Sequence, residues 1–272
     1  MHKLNWFVHF VLPLAIVAGA LPAFGAVAFI NSVQGGAAAT NASVTLPTTG
    51  TIDISASNAF FICASNAGGQ SITVSSSPNM GTFLSLPQQH AGTGSAGNGA
   101  MQLWYILNPA VSTTQTVTVA ASGSLGAVGM WFSGVGAIDQ SNGAFASSTS
   151  PWTSASVTPT YNNELIISCT TQQAGNTLSI GSSFIIPTNG QLTHGSHNFQ
   201  TLGAYLIQTT GAGTAIAPNI TWSGSTTSMS GTNATFQAVA SNANAVPYIA
   251  RSHLPVPTLT GLPWRDLFAW LF

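Results

Sequence analysis

The alternation of apolar side chains constrains the fold of this chain most. Between residues 44 and 239, short runs with a period of two and many β-branched residues dominate, and no stretch has the helical period. Glycine-rich turns such as Gly68-Gly69 and Gly211-Ala212-Gly213 separate the runs. We therefore expect an all-β protein, an antiparallel β-sandwich of jelly-roll type. Its predicted strands are 59–65, 71–75, 102–107, 116–120, 127–133, 164–170, 177–180, 203–208, 219–223 and 232–240.

The order of motifs is similar in the two halves of this region. The segment from Asn58 to Cys63 resembles that from Asn163 to Cys169, and in each half a Ser-Gly-Ser turn follows an aromatic strand at the same spacing. We predict an internal two-fold pseudo-repeat within a domain at 27–240, with halves at about 27–145 and 146–240. Each half alone would have a small core. This favours packing both halves into one sandwich.

Charge is nearly absent from the same region. Residues 4–250 of the 272 contain three charged side chains, Asp53, Asp139 and Glu164, and no Lys or Arg. Phosphate binding needs clustered Lys and Arg, so the sequence argues against a nucleic-acid partner. A surface of hydroxyls and amides with little net charge hardly repels other copies of itself. We therefore expect a homo-oligomer or polymer.

The N-terminal segment has the composition of a targeting signal. Residues 1–26 begin with His2 and Lys3, continue as an apolar run and end in small residues, which is typical of a cleaved signal peptide. The run is also long enough for an uncleaved membrane helix, the one route by which we expect membrane contact. Both alternatives predict export, to an extracellular, cell-surface or virion-surface location.

The C-terminal segment, residues 241–272, combines a proline-rich linker with an apolar tail. Leaving large apolar side chains in water forgoes about 1.5–3 kcal/mol each, so the tail needs a docking site. An extended proline-rich linker covers about 3 Å per residue, enough to reach a neighbouring subunit. We predict that the tail is an assembly contact, through Leu262, Trp264, Leu267, Phe268, Trp270, Leu271 and Phe272.

Acidic residues offer little for catalysis. Hydrolysis by paired carboxylates needs two acids about 5–10 Å apart. Residues 139–143 are predicted to form a turn around Asp139. Glu164 is predicted to be a solvated residue on an edge strand. We expect no acid pair, no catalytic residue and no cofactor, and a hydrolase is a remote alternative.

Histidines offer two further kinds of site. His90, His194 and His197 could serve a Ser–His–Asp triad, but no nucleophile-elbow motif accompanies them. His194 and His197 have a spacing found in metal sites, but no Cys, Asp or Glu lies nearby in sequence to complete the shell. We expect no metal site. With so few titrating groups, stability should vary little between acid and neutral pH, with the histidines the main exception.

Two cysteines and one tryptophan remain. Cys63 and Cys169 are equivalent in the predicted repeat, so they could form one disulfide, or they could be two buried free thiols. Trp152 lies in a predicted loop and is the best candidate for a glycan platform. In the strands, adjacent aromatic residues must point to opposite faces, and we expect one of each pair inside and one outside. A carbohydrate-binding or adhesive module, with a glycan as partner, is therefore the alternative function.

A resemblance covers about residues 51–239. The aromatic-rich stretch 102–109 ends in Asn-Pro and is followed by Thr-Val-Thr-Val at 116–119 and Phe-Ser-Gly-Val at 132–135. This order resembles a loosely defined group of exported bacterial and phage-encoded β-sandwich proteins. In that group Asp-Gln follows Ser-Gly-Val directly, whereas here residues 136–138 intervene. The resemblance implies a sandwich on a cell or virion surface. We therefore expect a non-enzymatic structural subunit that self-associates into a surface layer, filament or virion shell.

Overall fold

The structure, a computed structural model, describes residues 26–38, 42–90, 99–146, 150–181, 183–195, 198–224 and 228–239. Every regular element in these ranges is a β-strand, and all strand pairs are antiparallel. The predicted all-β class is confirmed, and each of the ten predicted strands overlaps an observed one. The predicted signal segment, apart from Ala26, and the apolar tail lie outside the described residues.

The first half of the chain forms one large and one small sheet. In the large sheet, sheet I, the two short strands β5 and β6 both pair with β7. Sheet I contains, in spatial order, β1 (Ala28–Ala37), β9 (Leu125–Ser133), β3 (Ala59–Ala67) and β7 (Gly99–Leu107), followed by β5 (Leu84–Ser85) and β6 (Gln89–His90). Sheet II contains β2 (Ser43–Leu46), β8 (Thr116–Ala121) and β4 (Ile72–Ser77).

The second half also forms a large and a small sheet. Sheet III contains β10 (Val135–Ala146), β17 (Met229–Ala238), β12 (Glu164–Gln173), β15 (Phe199–Gln208) and β14 (Gln191–His194). Sheet IV contains β11 (Trp152–Thr153), β16 (Asn219–Thr221) and β13 (Ser179–Ile180). Sheets I and III thus follow corresponding orders of pairing. The jelly-roll connections and the internal repeat remain predictions.

The four sheets stack in the order II, I, III, IV. Both large sheets are therefore buried on both faces. In β3, Phe60 packs toward sheet II, and the next residue, Phe61, packs toward sheet III. Sheet III likewise buries Ile166 against sheet IV and Ile167 against sheet I. The two halves do pack together, as expected, but in four layers. The expectation that one of each adjacent aromatic pair lies outside is wrong for Trp131 and Phe132, which are both buried.

Two features tie the halves together. Cys63 on β3 and Cys169 on β12 form a disulfide across the central core, with their Cα atoms 5.3 Å apart. Gly134 alone separates β9 in sheet I from β10 in sheet III, and its φ of 73° is one that glycine adopts without strain. The chain therefore enters the second half without a linker.

Candidate functional site

The longest strand of the described residues lies at a sheet edge. β10 has twelve residues and, within the described ranges, pairs only with β17. The ladder runs without interruption from the pair Gln140–Thr235 to the pair Ala146–Met229. In an antiparallel ladder, alternate N–H and C=O groups point away from the partner strand. The outer side of β10 can therefore accept another strand.

Residues 140–146 lack the features that usually block such an edge. They read Gln-Ser-Asn-Gly-Ala-Phe-Ala and contain neither charge nor proline. Phe145 is 57% exposed. A cleft of about 220 Å³ lies beside the strand, between Ser141, Asn142 and Gly143 on one side and Leu86, Pro87 and Gln89 on the other. We call residues 140–146 the β10 edge.

The prediction of a turn at residues 139–143 is therefore wrong. Gly and Asn favour turns, but here they serve the strand. An added Cβ at Gly143 would collide with the side chain of Gln89, so the small residue permits close packing. Asn142 donates from Nδ2 to Ser156 O (2.9 Å) and accepts from the Gly143 amide (2.9 Å). Tertiary packing thus overrides the local turn preference.

The corresponding edge of sheet I is partly covered. Asn189, from the second half, donates from Nδ2 to the backbone oxygen of Ser32 on β1 at 3.0 Å. Its backbone amide also lies 3.4 Å from Ser32 Oγ. A backbone acceptor of β1 is therefore already bonded to a side chain of the second half. Of the two outer strands, β10 is the more open one.

Trp152 is not a glycan platform, because its ring is buried. It lies on β11, is 7% exposed and packs in a core with Leu178 and Ile220. Its Cη2 would lie 3.0 Å from a Cβ added at Gly231 on β17. Stacking on a sugar needs a free ring face, which this position lacks. Phe145 and Tyr161 are the exposed aromatic residues among the described ones.

The structure brings together two acidic residues that the sequence placed apart. Glu164 is fully buried on the central strand β12, so its assignment as a solvated edge residue is wrong. Its Oε1 accepts the Tyr161 amide at 2.8 Å, and its carboxyl interacts with that of Asp139 on β10. Burial is the main cause that raises the pKa of Glu164. The Tyr161 amide and the Thr235 hydroxyl lower this pKa, and Asp139 raises it.

His194 forms a second buried polar cluster, between the two halves. It lies on β14, and its Nε2 is 2.8 Å from Ser65 Oγ and 3.0 Å from Thr201 Oγ1. The ring occupies space that Gly126 leaves open on sheet I, and Gly36 leaves room for the Cβ of His194. Burial lowers the pKa of His194 to about 4.

Ser65 and His194 have the spacing of a nucleophile and its base, but Ser65 is fully buried. A substrate could not reach its hydroxyl without a large opening of the core. His194 Nδ1 has no hydrogen-bond partner within the described residues, so no carboxylate orients the ring as in a triad. His197 lies outside the described residues. The arrangement is that of a packed core histidine.

Comparison with protein-family models, with curated proteins and with solved structures finds no match to this chain. Within the described ranges, no three His, Cys, Asp or Glu side chains gather as a metal-binding group. A search of the same ranges for helices long and apolar enough to cross a membrane also finds none. The features that bear on function are therefore the β10 edge and the composition of the chain.

Proposed function

We propose that this protein is a non-enzymatic extracellular structural subunit that self-associates into a surface layer, filament or virion shell. The observation that supports this proposal is the β10 edge: seven consecutive strand residues without charge or proline, whose outer side pairs with no strand among the described residues. The partner that fits it best is the β10 edge of a second copy. Two such edges are identical, uncharged and able to pair in antiparallel fashion.

Pairing of β10 with its copy would be a two-fold contact. Such a contact is isologous, since the same surface is used on both subunits, and it closes after two copies. A layer, filament or shell needs at least one further contact. The apolar tail, including Trp264, Phe268 and Trp270, is our candidate for it. Alternation of the two contacts would extend the assembly.

A charge on the β10 edge tests this proposal. Ser141→Lys places an ammonium group on the edge, where two copies would bring like charges together. Thr210→Lys, on an exposed turn after β15, adds the same charge away from the edge and is the matched control. Circular dichroism and a thermal melt establish that both variants fold. Light scattering after size exclusion, with negative-stain imaging, reports the assembly.

We expect the wild type and Thr210→Lys to associate as concentration rises. Ser141→Lys should need at least a tenfold higher concentration to associate to the same extent. A folded wild type that stays monomeric at high concentration would overturn the structural function. Equal association of wild type and Ser141→Lys would leave self-association standing and exclude the β10 edge as the contact.

A further inference from the structure

The carboxyl groups of Asp139 and Glu164 have fewer hydrogen-bond donors than oxygen atoms. The Thr160 amide donates to Asp139 Oδ2 at 2.8 Å, and the Tyr161 amide donates to Glu164 Oε1 at 2.8 Å. The Thr235 hydroxyl lies 3.5 Å from Asp139 Oδ2 and accepts the Gln140 amide at 3.0 Å. Glu164 Oε2 is buried, and no donor among the described residues lies at hydrogen-bond distance from it. A buried oxygen of this kind is costly unless it bears or receives a proton.

The surroundings of the pair supply no positive charge. Residues 4–250 contain no Lys or Arg, so no basic side chain within the described residues can neutralise the two acids. β17 presents Thr235 to the pair, and β15 places Gln208 opposite Glu164. Neither of these side chains titrates. Tyr161, in the preceding loop, and Asp139 are the titratable residues that contact Glu164.

The pair lies where the ladder between β10 and β17 is irregular. Its register shifts between Val135 and Ile138 and again between Ile138 and Gln140, so Asp139 is outside the regular pairing. The Asp139 side chain therefore supplies contacts that the ladder lacks at this point. Through Thr160 and Thr235, these contacts tie the start of β10 to the loop before β12 and to β17.

We propose that Asp139 and Glu164 share one proton at a pH at which an exposed acid has already lost its own, as a carboxylic acid donating to a carboxylate, and that this hydrogen bond holds the start of β10 in place. Glu164 Oε2 bears the proton and Asp139 accepts it. Loss of the proton leaves two adjacent carboxylates, one of them buried, without a counter-ion. Their repulsion then releases the irregular start of β10. This lock operates within one subunit, whether or not β10 pairs with another copy.

The direction of the pH effect follows from the raised pKa of Glu164. The unfolded chain loses this proton at the ordinary pKa of 4.5, and the folded chain loses it only at a higher pH. The stabilisation is therefore complete in acid and is lost as pH rises through the folded pKa. Glu164→Gln keeps the shape and an N–H donor without the titration. Asp53→Asn removes an exposed acid and is the matched control.

Carboxyl ¹³C NMR of the full chain, with Glu164→Gln and Asp139→Asn to assign the signals, counts the protons directly. We expect one carboxyl of the pair to stay protonated above the titration range of an exposed acid. The rate of amide exchange at residues 136–140, corrected for the intrinsic effect of pH, should rise by at least tenfold on deprotonation in the wild type and in Asp53→Asn. The corrected rate should not rise in this way in Glu164→Gln. Two carboxyls that both ionise as exposed acids do would overturn the proposal. A wild type in which calcium chloride displaces the proton and slows amide exchange at residues 136–140 would also overturn the proposal, because the pair would then be a cation site.

Discussion

Acidification should destabilise the protein through His194, whose ring is enclosed between the two halves. The ordinary pKa of this side chain is 6.5, and burial lowers it to about 4 in the folded state. The unfolded chain therefore binds a proton at a pH where the folded chain does not. Stability falls as pH drops below 6.5, and most of the loss has occurred at about pH 4. Composition predicts that stability changes little with pH, with the histidines as the main exception, and His194 is such an exception.

The magnitude follows from the size of the shift. One pKa unit corresponds to about 1.4 kcal/mol, so the shift from 6.5 to about 4 predicts a full loss of about 3.5 kcal/mol, of which about 3 kcal/mol has occurred at pH 4. Structurally, the added proton would place a charge among Gly36, Gly126 and the hydroxyls of Ser65 and Thr201. Those hydroxyls can accept one proton from Nε2, but Nδ1 has no acceptor within the described residues. The charged ring is therefore poorly solvated.

Urea unfolding of the oxidised protein at about pH 7.5 and about pH 4 measures this loss. His194→Gln removes the titration, so its free energy of unfolding should change by about 3 kcal/mol less than that of the wild type over this interval. Leu192→Met perturbs the same strand without touching the titrating group, and it should keep the wild-type pH dependence. The buried acid pair acts equally in all three proteins and cancels in the comparison. Identical pH profiles for wild type and His194→Gln would refute the reasoning.

Two further predictions concern the cores. Replacing both Cys63 and Cys169 by Ser opens a loop with a sequence separation of 106. In the chain-entropy model the free energy of unfolding, measured with urea, should fall by about 4–5 kcal/mol. An unchanged urea midpoint would contradict the stabilising role of the disulfide. Trp152→Ala should lower the free energy of unfolding by about 3–5 kcal/mol, because it leaves a cavity. On a glycan array, any loss of binding by this variant should be explained by its lower stability.

The sequence predicts the central strands well because their own side chains determine their pairing. β3 and β12 consist largely of apolar and β-branched residues, and such runs favour strands in any environment. β10 escaped prediction because its Gly, Asn and Ala residues have a low preference for strands, and the strand is held by its pairing with β17. Such a strand depends on long-range pairing, which local composition does not report.

The acid pair escaped prediction for a related reason. Asp139 and Glu164 lie on β10 and β12, which are separated by β17, and only the order of the sheet brings their side chains together. A usable signal lies in the predicted repeat. If the two cysteines of the disulfide are taken as equivalent positions, Asn58 corresponds to Glu164, and not to Asn163 as the motif alignment suggested. Asn58 also bonds to β10, through the backbone of Val135 at 2.7 and 3.0 Å.

The passage from β9 to β10 through Gly134 alone has a mechanical consequence. A flexible joint needs several residues that can absorb a change in direction, and the chain offers one, whose neighbours are already fixed in two sheets. Together with the disulfide across the core, this argues against a hinge between the halves. We therefore expect the two halves to move as one rigid body. If copies of the protein assemble as proposed, the curvature of the array would be set by the angles between copies and not by bending within one copy.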